Sequence, residues 1–177
     1  METTEKIVEA YVRYVKGWFT IPNIKCGNQK EIDLLAVDVR GGKTRRYHIE
    51  SGVSISKKFS KLTNADFSVA KLKSRAGKAV ERRKLSYFIR NKFLDPHVLE
   101  GLSKFKFTPM NTQRIIVTWG WRDEALIAAT NQDVVLWDFR ELLQEIAALG
   151  QLTSHYYTDD TVRTVQLVAK AQTRTRQ

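Results

Sequence analysis

Two apolar runs meet at Gly41-Gly42, and no other feature of the chain constrains its fold as tightly. The first reads Glu31-Ile-Asp-Leu-Leu-Ala-Val-Asp38 and the second Arg46-Tyr-His-Ile-Glu-Ser-Gly-Val53. Paired glycines between such runs signal a β-hairpin. With the turn centred on them, opposed residues carry numbers that sum to 83, as Asp33 and Glu50 do. These two are expected to face each other across the strands, on one side of the sheet, with Cβ atoms roughly 5 Å apart. The bland alternative is a solvated face whose register is slipped by a bulge. Leu34, Leu35, Ala36 and Val37 argue instead for a buried strand. Like charges opposed in a sheet repel, so the pair calls for a compensating partner, of which a divalent cation is the obvious one.

The charge of the chain is equally uneven. Its net +11 comes almost wholly from residues 57–92, which hold twelve Lys/Arg against two acids. Lys57, Lys58, Lys61, Lys71, Lys73, Arg75, Lys78, Arg82, Arg83 and Lys84 make up most of that block. A concentrated basic segment in a folded chain points to a polyanion, most often nucleic acid. The alternative is a solvated helix that keeps the protein soluble. A membrane surface fits less well, because the block lacks an apolar stripe with aromatic anchors.

The single Cys26 excludes an internal disulfide and a multi-cysteine zinc site, and His48, His97 and His155 are too scattered for a zinc motif. No apolar run approaches the ~20 residues of a membrane span. The polar, acidic amino terminus does not read as a signal peptide, which makes the cytoplasm the expected location.

Periodicity gives the order of elements, and the 177 residues read as a single domain. Ile7, Val8, Tyr11, Val12, Tyr14 and Val15 predict a helix over 3–17, capped by Thr3 or Thr4 and ended by Gly17. Glu5 and Glu9 lie one turn apart on it. Residues 18–26 predict a strand interrupted near Pro22, and the hairpin supplies two more. The basic segment, about 57–95, reads as mainly helical from Asn64 to Asn91, with Val69, Leu72, Ala76, Ala79 and Val80 facing inward. Its phase slips near Lys84, Gly77 weakens its middle, and Pro96 ends it. Strands are expected over 113–119 and 134–137, with a short helix over 122–130 between them. Asp138 and Glu141 form a capping box for a helix closed by Gly150. A final helix begins at Asp159 or Asp160, within a helical extension over about 151–177. This order predicts an α/β fold, a mixed central sheet flanked by helices.

A helix bearing a Glu, an Asp in an apolar strand and a Glu on the next strand together resemble the restriction-endonuclease-like superfamily, whose motif is PD-(D/E)XK. The segment Asn28-Gln-Lys-Glu-Ile-Asp-Leu-Leu-Ala-Val37 is similar to the Asp strand of Holliday-junction-resolvase-like members. The resemblance covers about residues 1–140 as topology and is motif-level between Gly27 and Ser54. It implies that Asp33 and Glu50 bind magnesium or manganese, joined by the Ser51 backbone carbonyl. Glu9, or Glu5 if the helix is turned differently, would touch the metal or its water. The family's lysine stands two residues after the Glu, where this chain has Gly52. Either the lysine has moved, with Lys57, Lys58, Lys71, Lys73, Gln29 or Lys30 reaching into the gap, or catalysis has been lost and binding remains.

Other constellations carry less. Trp119 and Trp121 could stack on bases, but core or rim packing explains them as well. Tyr156-Tyr157 is equally ambiguous, and a helix cap accounts for Asp159 and Asp160 beside His155. Cys26 reads as a lone, partly buried thiol. The resulting expectation is a DNA-binding, magnesium-dependent phosphodiester hydrolase, dimeric if it cuts both strands. A silent nucleic-acid-binding module and a scaffold that docks an acidic protein partner are the alternatives.

Overall fold

The computed structural model describes residues 2–53, 61–73, 80–152 and 157–174. Five strands form one sheet in chain order: β1 (Phe19–Lys25), β2 (Glu31–Asp38), β3 (Arg45–Ser51), β4 (Thr112–Thr118) and β5 (Val134–Asp138). β1, β2 and β3 are antiparallel neighbours, while β4 and β5 run parallel to β3. The fold is α/β, a mixed sheet flanked by helices, as the order of elements predicted.

The hairpin register follows the predicted arithmetic. Leu34 pairs with Ile49 and Leu35 with His48. One step further on, the backbone N–H of Asp33 points at Glu50 Oε1, 3.4 Å away. The turn is longer than two residues. It spans 39–44 and contains a 3-10 turn, Arg40–Gly42, with Gly41 and Gly42 at φ 71° and 73°. Both occupy the left-handed region that glycine reaches without steric cost.

A parallel step from β3 to β4 requires a crossover. It is built from a 3-10 turn (Ala70–Lys73), α2 (Leu85–Tyr87, continued by a π-helical turn Phe88–Phe93) and α3 (Pro96–Lys104). Asp95 caps α3 by accepting from the His97 N–H at 3.0 Å, and Pro96 sits at its first position. The other helices are α1 (Thr3–Ala10, continued by a π-helical turn Tyr11–Val15), α4 (Asp123–Thr130), α5 (Phe139–Leu152) and α6 (Asp160–Arg174).

Both faces of the sheet are covered. Leu34, Ala36, Ile49, Ile115 and Val117 pack against α1, α5 and α6 through Val8, Tyr11, Val12, Phe139, Leu142, Ile146 and Val162. On the other face Ile116 packs with Leu85, Phe88 and Phe93 of α2 and Ala125 and Ala129 of α4. Leu35 meets Val98 and Leu102 of α3. Since successive strand residues alternate in direction, Asp33, His48 and Glu50 project toward this second face, under α2.

The basic segment departs from the long helix expected over 64–91. Residues 61–69 are not helical: Leu62 bridges to Trp121 and Thr63 to Lys84 in strand-like pairings. Val69 and Val80, expected inside, are 66% and 55% exposed. Ala76 and Ala79 lie outside the described residues, as do Arg75 and Lys78. Two of the expected caps also shift. Glu2 precedes α1 and its N–H donates to Glu5 Oε2 at 2.8 Å, in place of a Thr3 or Thr4 cap. α5 continues through Gly150 to Leu152. The Asp138 and Asp159 caps are present: Asp138 Oδ1 accepts from Arg140 N and Asp159 Oδ1 from Thr161 N, each at 2.9 Å.

Candidate active site

A cleft of about 630 Å³ opens where the amino end of β2 and the carboxyl end of β3 meet the start of α1 and the turn before α2. Asp33 and Lys92 line it, and Glu50 lies fully buried behind them. Lys92 Nζ donates to Asp33 Oδ1 at 2.8 Å and stands 2.6 Å from Glu50 Oε2. The Ser51 N–H donates to Asp33 Oδ2 at 2.8 Å, and His48 Nε2 is 2.7 Å from Glu50 Oε1.

Gly52 explains how Lys92 arrives. A Cβ built at position 52 would stand 2.6 Å from Phe88 Cζ, so the ring of α2 fills the place where the motif lysine would begin. Lys92 follows Phe88 by four residues and shares its helix face. Phe88 therefore docks α2 on the glycine, and the same face delivers an ammonium to the two carboxylates. The opposed acids are compensated by this lysine, and the sheet needs no cation to tolerate them.

Burial dominates the electrostatics. It pushes Asp33 up to about 7, with the Glu50 charge adding to it and Lys92 and the Ser51 N–H opposing. Burial raises Glu50 too, against the pull of Lys92. For Lys92 burial works downward, but the Glu50 and Asp33 charges overcome it and hold the ammonium above its ordinary value. Lys92 is thus a fixed positive charge, unable to act as a base near neutrality. Burial takes His48 down to about 3, helped by the Lys92 and Arg114 charges and opposed by Asp33. A neutral imidazole 2.7 Å from a carboxylate donates to it.

The structure brings Glu5 to the cleft in place of Glu9. Glu9 turns toward β1, where it accepts from Thr20 Oγ1 at 3.1 Å and stands 3.8 Å from Arg13. Glu5, Glu31 and Asp33 place carboxylate oxygens within 4.8 Å of one another. Burial raises Glu5, whereas Glu31 is lowered by its ion pair with Lys25. This donor set is all oxygen, which suits a hard cation of the magnesium or manganese type.

Among the described residues, the expected substitutes Lys71 and Lys30 do not meet the carboxylates. Lys71 lies exposed on the 3-10 turn, where its charge acts on Glu81, and Lys30 pairs with Asp95 at 2.8 Å. Lys57, Lys58 and the Lys73 side chain lie outside the described residues. Of the expected phosphate-contacting bases, Arg82 and Arg83 line the cleft and Lys61 is exposed. Lys84 is committed elsewhere, donating to Glu81 Oε1 at 2.9 Å and to the Asp66 carbonyl at 2.7 Å. Trp119 packs on Phe139, Trp121 joins the core beside α4, and Tyr157 sits edge-on to Tyr14. His155 and Tyr156 lie outside the described residues.

Sequence reasoning missed Lys92 and His48. Lys92 was one base among twelve in its segment. The signal that could have singled it out is the Phe88/Lys92 spacing set against a glycine at position 52.

No family model matches the chain, and no curated protein matches it. The crystal structure of AF1548, a protein of unknown function, is similar over 95% of this chain and 96% of its own, with 15% identity and a TM-score of 0.42. Among the described residues, no helix is long and apolar enough to cross a membrane.

Proposed function

We propose that the protein is a metal-dependent phosphodiester hydrolase of the restriction-endonuclease-like type, acting on nucleic acid, most simply DNA, with Asp33, Glu50 and Lys92 as its working groups. The observation that carries this reading is the lysine. Its Nζ stands within 2.8 Å of Asp33 and 2.6 Å of Glu50 at the base of an open cleft, so a migrated side chain supplies the charge that Gly52 lacks. Asp33, Glu5 and Glu31 would hold magnesium or manganese, which when bound lowers the pKa of a water and neutralises phosphoryl oxygens. Lys92 keeps its proton at Nζ and stabilises negative charge that develops beside it. Arg82 and Arg83, on the cleft wall, bind the phosphates that flank the scissile one.

The test is cleavage of duplex, junction, single-stranded DNA and RNA by the wild type and by Lys92→Met, with magnesium or manganese. Loss of the ammonium is expected to lower turnover by two to three powers of ten while nucleic acid still binds. Wild type inert on all four substrates would end the hydrolase reading. One observation favours a second reading in that event. Because Lys92 already neutralises the carboxylates, the centre is stable without a cation, as a silent nucleic-acid-binding module would require.

A further inference from the structure

We infer that His48 is a positioning residue for this centre: its Nε2–H holds one oxygen of Glu50 and so turns the other onto Lys92. The inference rests on the proposed roles of Asp33, Glu50 and Lys92. His48 and Glu50 lie two residues apart on β3 and project to the same side of the sheet. They are 1% and 0% exposed, so water does not replace a lost partner. The other donor near Glu50 Oε1 is the Asp33 N–H, at a long 3.4 Å, whereas His48 Nε2 is at 2.7 Å. Among the described residues, Oε2 accepts no hydrogen bond of good geometry and stands 2.6 Å from the Lys92 ammonium. One oxygen is thus fixed by the imidazole and the other by the ion pair.

The ring is itself held. Phe93 meets it edge-on, with centroids 4.8 Å apart and planes at 87°. Phe93 is the residue after Lys92, so one stretch of α2 both locks the imidazole and presents the ammonium. A change at either end of this chain of contacts moves Glu50. Groups that orient a catalytic or metal-binding side chain from behind are typically worth roughly 10–100-fold.

The direction of the hydrogen bond decides the inference. Long-range proton–nitrogen NMR of the metal-free full chain should show His48 protonated at Nε2 and bare at Nδ1. The opposite tautomer would make Glu50 the donor and overturn it. Two variants test the consequence. His48→Leu removes the donor at similar volume, and His48→Gln restores an N–H at the same reach. With manganese and an oligonucleotide, His48→Leu should lower kcat roughly 10–100-fold at unchanged KM, and His48→Gln should recover part of the loss. The Lys92 ammonium signal should be sharp in the wild type and His48→Gln, and lost to exchange in His48→Leu. A folded His48→Leu that keeps this signal and cuts like wild type would overturn the inference. If His48→Leu does not fold, the wild-type tautomer and the Gln variant still decide. If the wild type cleaves nothing, the hydrolase reading falls, while the tautomer and ammonium signals continue to judge the hold on Glu50.

Discussion

Replacing Asp33 by Asn is expected to tilt the pH profile of stability upward relative to wild type. Asp33 moves from an ordinary 3.8 to about 7 on folding, so the folded state holds its proton more tightly. Its contribution is full below about pH 4 and is lost as pH rises through about 7. Three units at roughly 1.4 kcal/mol each set this at no more than about 4 kcal/mol. His48 moves the other way, from 6.5 to about 3. Its contribution is full above 6.5 and is lost as pH falls toward 3, at no more than about 5 kcal/mol. Between about pH 4 and 6.5 these two slopes oppose at nearly one proton each, and the raised carboxyls of Glu50 and Glu5 add to the Asp33 side. Asp33→Asn removes the Asp33 slope, so its curve should rise relative to wild type by up to about 1.4 kcal/mol per pH unit. His48→Gln removes the His48 slope and should fall relative to wild type by a similar amount.

The assay is urea unfolding in chelator at half-unit steps from pH 4.5 to 7.5, followed by tryptophan fluorescence. That range avoids the acid limb, where Asp38, Asp95 and Asp138, all lowered by nearby donors, begin to protonate. Constant costs of the substitutions, such as the Ser51 N–H losing an acceptor, shift a curve without tilting it. Wild-type and Asp33→Asn curves that stay parallel would refute the reasoning, because they would mean that Asp33 does not titrate in a buried site.

Gly52→Lys, which would place a lysine two residues after Glu50, should expel the Phe88 ring, cost about 1–3 kcal/mol in urea unfolding and lower any cleavage activity. Arg82→Ala and Arg83→Ala should each reduce the slope of log affinity against log salt by roughly 0.9 on duplex DNA, read by fluorescence anisotropy. Lys84→Ala should leave that slope unchanged and lower stability in urea unfolding, since Glu81 loses its ion-pair partner and keeps only the Ser68 N–H among its named donors. Magnesium should raise the melting temperature more at pH 8 than at pH 5.5, because it competes with the proton that Asp33 retains below about 7.

What the sequence revealed and what it hid divide along physical lines. The hairpin was readable because a strand has a period of two and a glycine pair fixes the centre, so register follows from counting. That arithmetic was enough to place Asp33 against Glu50 before any coordinates. The basic segment was unreadable for the opposite reason. Lys and Arg favour helices and also cover loops, and residues 61–69 are held by bridges to Trp121 and Lys84 that no local pattern encodes. The choice between Glu5 and Glu9 turned on helix rotation. Both sit on one stripe, and the packing of Val8, Tyr11 and Val12 on the sheet decides which of them meets Asp33.

Lys92 is the instructive case. A motif written as Glu-X-Lys assumes that the ammonium must come from the strand that carries the carboxylate, because side chains two apart on a strand share a face. The chemistry asks only for a positive charge within about 3 Å of both carboxylates, and any element can supply that. Gly52 is visible in the sequence as a missing lysine, but its physical meaning is positive: a strand position without a side chain lets a helix approach closely. Phe88 occupies that space, and Lys92, one turn further on, is placed by the docking. The direct Lys92–Glu50 ion pair is delivered by this packing. Phe88→Ala should therefore disturb the Lys92 ion pairs as surely as a change at Lys92 itself, although Phe88 carries no charge.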